Sequence, residues 1–248
     1  SMDCGAAVRE GWDVVVQILE SIEGYRGIQS FHGQDTDFFR FVGAASHHAP
    51  RGLALKALDF MLAHAHPAHP TWLQVASLIM QRFFRVQNDS EVRVRALTCM
   101  GELLCDYRAM YEEELLDVGI LPFLGGLSHE KDESVRNFAL EFVTDLAKDI
   151  QCDRFAQLLN IVMAVATEGD SASIRTSATK SLLSLFATTL PRIPSSRFLS
   201  VHAALLRVLA NAQQPAAARR EVITALSTLQ ASSSYRPMLI IPNERAVH

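Results

Sequence analysis

The chain has little of what breaks helices. Glycine occurs 12 times and proline 9 times in 248 residues, while alanine, leucine and arginine are abundant, a helix-forming vocabulary. No turn dipeptide separates alternating strand-like runs, so nothing in the sequence asks for a hairpin. No apolar run reaches the roughly 18–20 residues needed to cross a bilayer, and no signal-peptide pattern opens the chain, so no membrane insertion is expected. The four cysteines, Cys4, Cys99, Cys105 and Cys152, show no Cys-x-x-Cys spacing. Scattered among helical patterns, they read as reduced, mostly core thiols of a cytosolic protein. A net charge of −4 gives no global electrostatic case for nucleic acid or an anionic membrane. There is no G-x-S-x-G elbow, no H-E-x-x-H, no P-loop and no G-x-G-x-x-G. The chain is therefore read as a non-enzyme needing no cofactor.

What is present is repetition. The phrase DSEVRVRALTCMGELL at 89–104 returns as DESVRNFALEFVTDL at 132–146, and more loosely as DSASIRTSATKSLLSLF at 170–186. Aligned on its arginine, the chain yields Arg51, Arg93, Arg136, Arg175 and Arg219, with gaps of 42, 43, 39 and 44 residues. One further step back lands on Arg9. Three residues after these arginines stand Trp12, Ala54, Ala96, Ala139, Ala178 and Val222, mostly small, and just before the three clear copies stand Val92, Val135 and Ile174. A period near 40–47 is that of HEAT or armadillo repeats. The expected fold is all-α, a HEAT/armadillo-like solenoid of about five to six helix pairs. Ser1-Met2 reads as a tag scar, 3–235 as a single solenoid, and 236–248 as a non-helical tail or the start of a further repeat.

The physics of the phrase agrees with helix starts. Asp89 and Asp132 suit N-caps, accepting bonds from the unpaired N–H groups of the first turn. Val92, Ala96, Met100 and Leu103 follow at helical spacing, as do Val135, Ala139, Phe142 and Leu146. A single amphipathic helix cannot hide its stripe alone, so each unit must stack on the next. Breaks are expected at 24–27, 46–50, 67–70, 87–90, 128–132, 168–171, 191–194 and 213–215, with Pro122 near a helix start.

Four residue groups invite a chemical reading. His64, His66 and His69 lie close together, with His47-His48 upstream, and a metal-dependent helical enzyme would use them. Two prolines interrupt the cluster, and His64 and His66 would diverge on a helix, so a loop of solvated histidines is preferred. Glu112, Glu113 and Glu114 point to different faces and read as a solvated acidic helix start. Arg82, Arg85, Arg93 and Arg95, interleaved with Phe83 and Phe84, suggest an RNA surface. The preferred alternative puts Phe83 and one neighbour in the core, with the arginines on a rim or paired with Asp89 and Glu91, and with Arg82, Arg85 and Arg95 as a candidate partner-facing patch. A catalytic arginine is needed once; Arg93, Arg136 and Arg175 recur with the repeat. They are expected to form a structural ladder, each planar fork bonding an acid or carbonyl of an adjacent repeat.

Several phrases are more specific than a generic repeat: FHG (31–33), HPA (66–68), RFFR (82–85), EVR (91–93), YEEEL (111–115), SVRNFALEFVTDLA (134–147), LLNIV (158–162) and LIIPN (239–243). Together, from about residue 30 onward and most strongly over 66–165, they resemble the tuberin family, found in the tuberous sclerosis complex. The resemblance implies a parent protein that is a GTPase-activating protein for the Ras-like GTPase Rheb and restrains TOR-kinase growth signalling. In that family the catalytic domain lies near the far C-terminus and acts through an asparagine thumb, with no counterpart here, so no catalytic residue is carried over and Rheb is a partner only of the absent domain. The resemblance further implies an α-solenoid that holds the coiled-coil subunit hamartin. It also implies a cytoplasmic complex recruited to the lysosomal surface.

Overall fold

A computed structural model describes residues 51–68, 72–149, 154–192 and 195–231. Among these residues the secondary structure is helical throughout, without a strand: α1 (Arg51–His64), α2 (Trp72–Phe83), α3 (Ser90–Leu115), α4 (Leu121–Leu124), α5 (Glu133–Asp149), α6 (Phe155–Glu168), α7 (Ala172–Thr189), α8 (Ser196–Ala210) and α9 (Ala216–Ala231). They group into two compact units, one within Ser1–Gly126 with Lys131–Ala139, the other within Leu127–Glu130 with Leu140–His248.

Helix starts are set by local chemistry. The Asp89 carboxylate accepts the Glu91 N–H at 2.9 Å, Asp132 accepts that of Val135 at 3.0 Å, Ser171 that of Ile174 at 3.2 Å, and Ser195 that of Phe198 at 3.1 Å. Each satisfies one donor that the first turn leaves open, a contribution of about 1 kcal/mol per cap. Asn88 closes the other side of its loop, donating to the last carbonyls of α2 at Arg82 (2.7 Å) and Phe83 (2.9 Å).

In the first unit α1, α2 and α3 pack pairwise, and α2 and α3 also hold a π-helical turn, Leu116–Ile120, that leads into α4. This stretch, carrying Gly119, Pro122, Gly125 and Gly126, is broken into short pieces where a regular first helix of a pair would stand. A Cβ on Gly119 would run into the Met100 thioether of α3, so the glycine permits the close approach. Pro122 lies at the start of α4, where its missing N–H costs nothing. Non-helical angles at Tyr111 (φ −135°, ψ 21°) divide α3 into two helical stretches across a kink, and Glu112–Glu114 open the second, where an acidic helix start was expected. The Tyr111 ring packs against Trp72 there, at 4.9 Å between centroids.

In the second unit α6 packs on α7 and α8 on α9; α8 also meets α6 and α7, and α9 meets α7. The packing is thus consistent with helix pairs that each cover an apolar stripe of the next.

The small residue after each arginine sits in the core: Ala54 is 3% exposed, and Ala96, Ala139, Ala178 and Val222 are 0%. The second expected stripe shifts by one position. Val135 and Ala139 are buried, but Phe142 and Leu146 are half-buried, and the core residues are instead Leu140, Val143 and Ala147.

Candidate functional site

The features that recur are the arginines at the helix starts. Arg93, Arg136, Arg175 and Arg219 are each the fourth residue of a helix, and each backbone N–H bonds the residue before that helix: Asp89 (3.0 Å), Asp132 (3.0 Å), Ser171 (3.1 Å) and Pro215 (3.0 Å). The four guanidinium groups thus start from one register position, and the Nε of each is shielded from solvent. Arg93 and Arg136 are buried almost entirely, Arg175 and Arg219 half.

The second unit shows what the forks do. Arg175 donates from Nη1 to the Gly169 carbonyl at 2.6 Å and from Nη2 to the Gln213 carbonyl at 3.0 Å. The first bond closes the helix pair's own loop, and the second reaches the loop of the following pair. Arg219 donates from Nη2 to the carbonyls of Leu209 and Asn211, both at 3.2 Å, which closes the loop between α8 and α9. In the first unit Arg93 lies over the Phe84 ring at 5.2 Å and helps hold the Asp132 carboxyl below its usual range. The principal cause of that lowering is the Ser90 hydroxyl, which donates to Asp132 across 42 residues, followed by the Val135 N–H.

Other polar contacts span intervals of 36 to 48 residues. His129 and Asp170 lie 3.2 Å apart across 41 residues, and Asn211 bonds the Thr167 carbonyl at 2.8 Å across 44. Gln214 donates to the Ala166 carbonyl across 48, and Arg95 bonds Asp59 across 36, its Nη2 at 2.7 Å. Arg51 pairs with Glu91.

The four arginines at 82–95 do not form one cationic surface. Arg93 is in the interior, and Arg95 is engaged by Asp59 and by Glu102 (2.6 Å). Burial opposes the Arg95 charge, but these two carboxylates outweigh it and raise its pKa. Asp89 serves as an N-cap, and Glu91 meets Arg51. Phe83 is fully buried, with Arg82 half-buried and Arg85 exposed beside it.

His66 accepts the Ala68 N–H at its Nδ1 (3.0 Å) and stands edge-on to Tyr107 (5.7 Å). His69, His47 and His48 lie outside the described residues, as do Arg9, Cys4 and Cys152. Among the described residues no three His, Cys, Asp or Glu side chains converge as a metal site would require. No described helix is long and apolar enough to cross a membrane. Glu112 is sequestered by Arg108 at 2.6 Å, a contact that the run of three glutamates did not reveal. Cys99 is buried, which pushes its thiol up to about 12, whereas Cys105 is exposed, against the expectation of core thiols.

Compared with known families, the chain is similar over residues 10–100 to a family described as a domain of unknown function, DUF3384. The matched stretch includes α1, α2 and the start of α3 with Arg93.

Proposed function

We propose that the chain is a non-catalytic scaffold segment of a tuberin-like protein. Its helix pairs stack as a HEAT-like solenoid and help assemble the hamartin–tuberin complex, the GTPase activator of Rheb that restrains TOR-kinase signalling. The observation that carries this reading is the recurrence of one helix start. Arg93, Arg136, Arg175 and Arg219 occupy one register position, and polar contacts between distant segments recur at separations of 36 to 48 residues, Arg175 making one of them. Repetition at the period of the fold is the mark of architecture, whereas a catalytic group occurs once and is served by unlike neighbours.

The phrases RFFR and YEEEL add the family. They fall at the end of α2 and at the kinked end of α3, on either side of the first well-formed arginine phrase. In this reading the segment works in the cytoplasm, reaches the lysosomal surface with the assembled complex, and supplies rigid helix faces to a partner helix. Rheb is met only by a catalytic domain outside this sequence.

The non-catalytic part of the proposal is tested with GTP-loaded Rheb. Addition of the purified segment is expected to leave the hydrolysis rate at its intrinsic value. Acceleration that grows with segment concentration would overturn it.

A further inference from the structure

The carboxylates of α1–α3 divide into two groups. Asp59 and Glu102 meet Arg95, Glu91 meets Arg51, and Glu112 meets Arg108. Asp106, Glu113 and Glu114 are exposed and have no cationic partner among the described residues. All three lie in the later part of α3, within about one turn of Met110. Asp106 stands four residues before Met110, and Glu113 and Glu114 three and four after it, the spacings that put side chains on one helix face. Met110 is itself 71% exposed. The kink at Tyr111 bends this face and leaves all four side chains in solvent.

Two aromatic rings border the methionine, and both are held from behind. Tyr107 and Tyr111 are half-buried. Tyr107 stands edge-on to His66 at 5.7 Å and to Trp72 at 5.8 Å, and Tyr111 stands edge-on to Trp72 at 4.9 Å. Trp72 is buried, so both tyrosines rest on a core residue and have little freedom left to lose when a partner arrives. A lone exposed methionine needs no explanation. Rigid aromatic anchors beside an adaptable thioether are what recognition surfaces are built from.

We infer that this face of α3, centred on Met110, docks a basic amphipathic helix. The partner's apolar stripe lies on Met110 and the two tyrosine rings, and its lysines or arginines meet Asp106, Glu113 and Glu114. Charge selects this occupant. An acidic helix would set like charges together, and an uncharged one would cover three carboxylates without replacing their water. A cation is received both by the carboxylates and by the tyrosine ring faces. From Asp106 to Glu114 the face runs about 12 Å at 1.5 Å per residue, two turns, which the i, i+3, i+4 and i+7 anchors of a partner helix match. The occupant is fixed by this chemistry and is the same whichever complex the parent protein joins.

Fluorescence anisotropy tests the surface on the intact chain, with a labelled peptide of leucine and lysine whose leucines fall at i, i+3, i+4 and i+7. Saturable binding is expected. Met110→Lys, and separately the pair Glu113→Lys with Glu114→Lys, should each weaken it at least about tenfold, the loss typical of a central contact. Glu141→Lys, which reverses an exposed charge on α5, should leave the affinity unchanged, and the same peptide with glutamate in place of lysine should not bind. All of the altered side chains are exposed, and circular dichroism checks that each variant keeps its helices. Absence of binding, or equal binding of the glutamate peptide, would overturn the proposal. A loss in Glu141→Lys as large as that in the double variant would also overturn it, because attraction to net charge would then suffice. So would self-association of the chain that Met110→Lys abolishes, since the occupant would then be a second copy.

Discussion

The guanidinium of Arg175 donates 3.0 Å to the carbonyl of Gln213, 38 residues further along the chain, while its other terminal nitrogen closes the loop at Gly169 2.6 Å away. One side chain therefore ties a helix pair to itself and to its successor. A planar fork with fixed donors is suited to two carbonyls at once, and an ammonium on a flexible stem is not.

Replacement of Arg175 by Met keeps the apolar stem and removes both bonds, leaving two carbonyls without this donor. A loss of about 1–3 kcal/mol is expected from that number of unmade bonds. Arg175→Lys should recover only a minor part of it. Urea unfolding measures both, and a midpoint unchanged by Arg175→Met would contradict the role given to this arginine.

Gly169 provides a second test of the same junction. It caps α6 with its N–H on the Val165 carbonyl, and a Cβ there would stand 2.5 Å from Ile174 Cγ2 and 2.6 Å from the Val165 oxygen. Relief requires the Ile174 side chain and the last turn of α6 both to give way. Gly169→Ala should destabilise by about 1–3 kcal/mol, the usual cost of overpacking, read as a lower thermal midpoint. A midpoint equal to that of the parent chain would mean the loop yields more easily than its geometry implies.

Much of this junction can be read from residues alone, because helix starts are local. The Asp89 and Asp132 caps, the Val or Ile, the arginine and the small residue three positions later all lie within one turn or two, and each stands where its spacing placed it, whereas the Ser171 cap of the third copy was not foreseen. The partners of those residues are not local. That Arg95 would meet Asp59, or Ser90 would meet Asp132, depends on how two distant helices are set, and many acids compete on paper. Phe142 and Leu146 are half-buried rather than fully buried for the same reason. Two neighbouring apolar lines run along α5, and only the packing selects Leu140, Val143 and Ala147. The π-helical turn at Leu116–Ile120 left no periodic signal beyond Gly119, whose value comes from Met100 on another helix.

Acid should weaken the link between Ser90 and Asp132. The Asp132 carboxyl is held below its ordinary value, first by the Ser90 hydroxyl and then by the Val135 N–H. A depressed folded pKa contributes stability that is complete above the unfolded value, near 4, and is lost as pH falls through the lower folded value. Unfolding midpoints of the parent chain and Asp132→Asn should differ most at neutral pH and converge as pH falls below about 4. A difference that stays constant across that window would assign the effect to something other than this carboxylate.

Thiol chemistry should separate two cysteines on one helix. Cys99 is held as the neutral thiol by burial, with its pKa pushed up to about 12, and Cys105 is open to solvent. Since the thiolate is the reacting form, alkylation followed by peptide mapping should label Cys105 rapidly and Cys99 only on unfolding. Equal rates in the native protein would show that α3 opens far more readily than its packing suggests.

The scaffold proposal is tested most directly by sedimentation velocity of the intact chain mixed with purified hamartin. The expected result is one faster-sedimenting boundary containing both proteins in a fixed ratio, retained when Arg82, Arg85 and Arg95 are unaltered and the helix pairs are intact. Two independent boundaries at every ratio tested, with the chain folded by circular dichroism, would contradict the claim that this array of helix pairs takes part in assembling the complex.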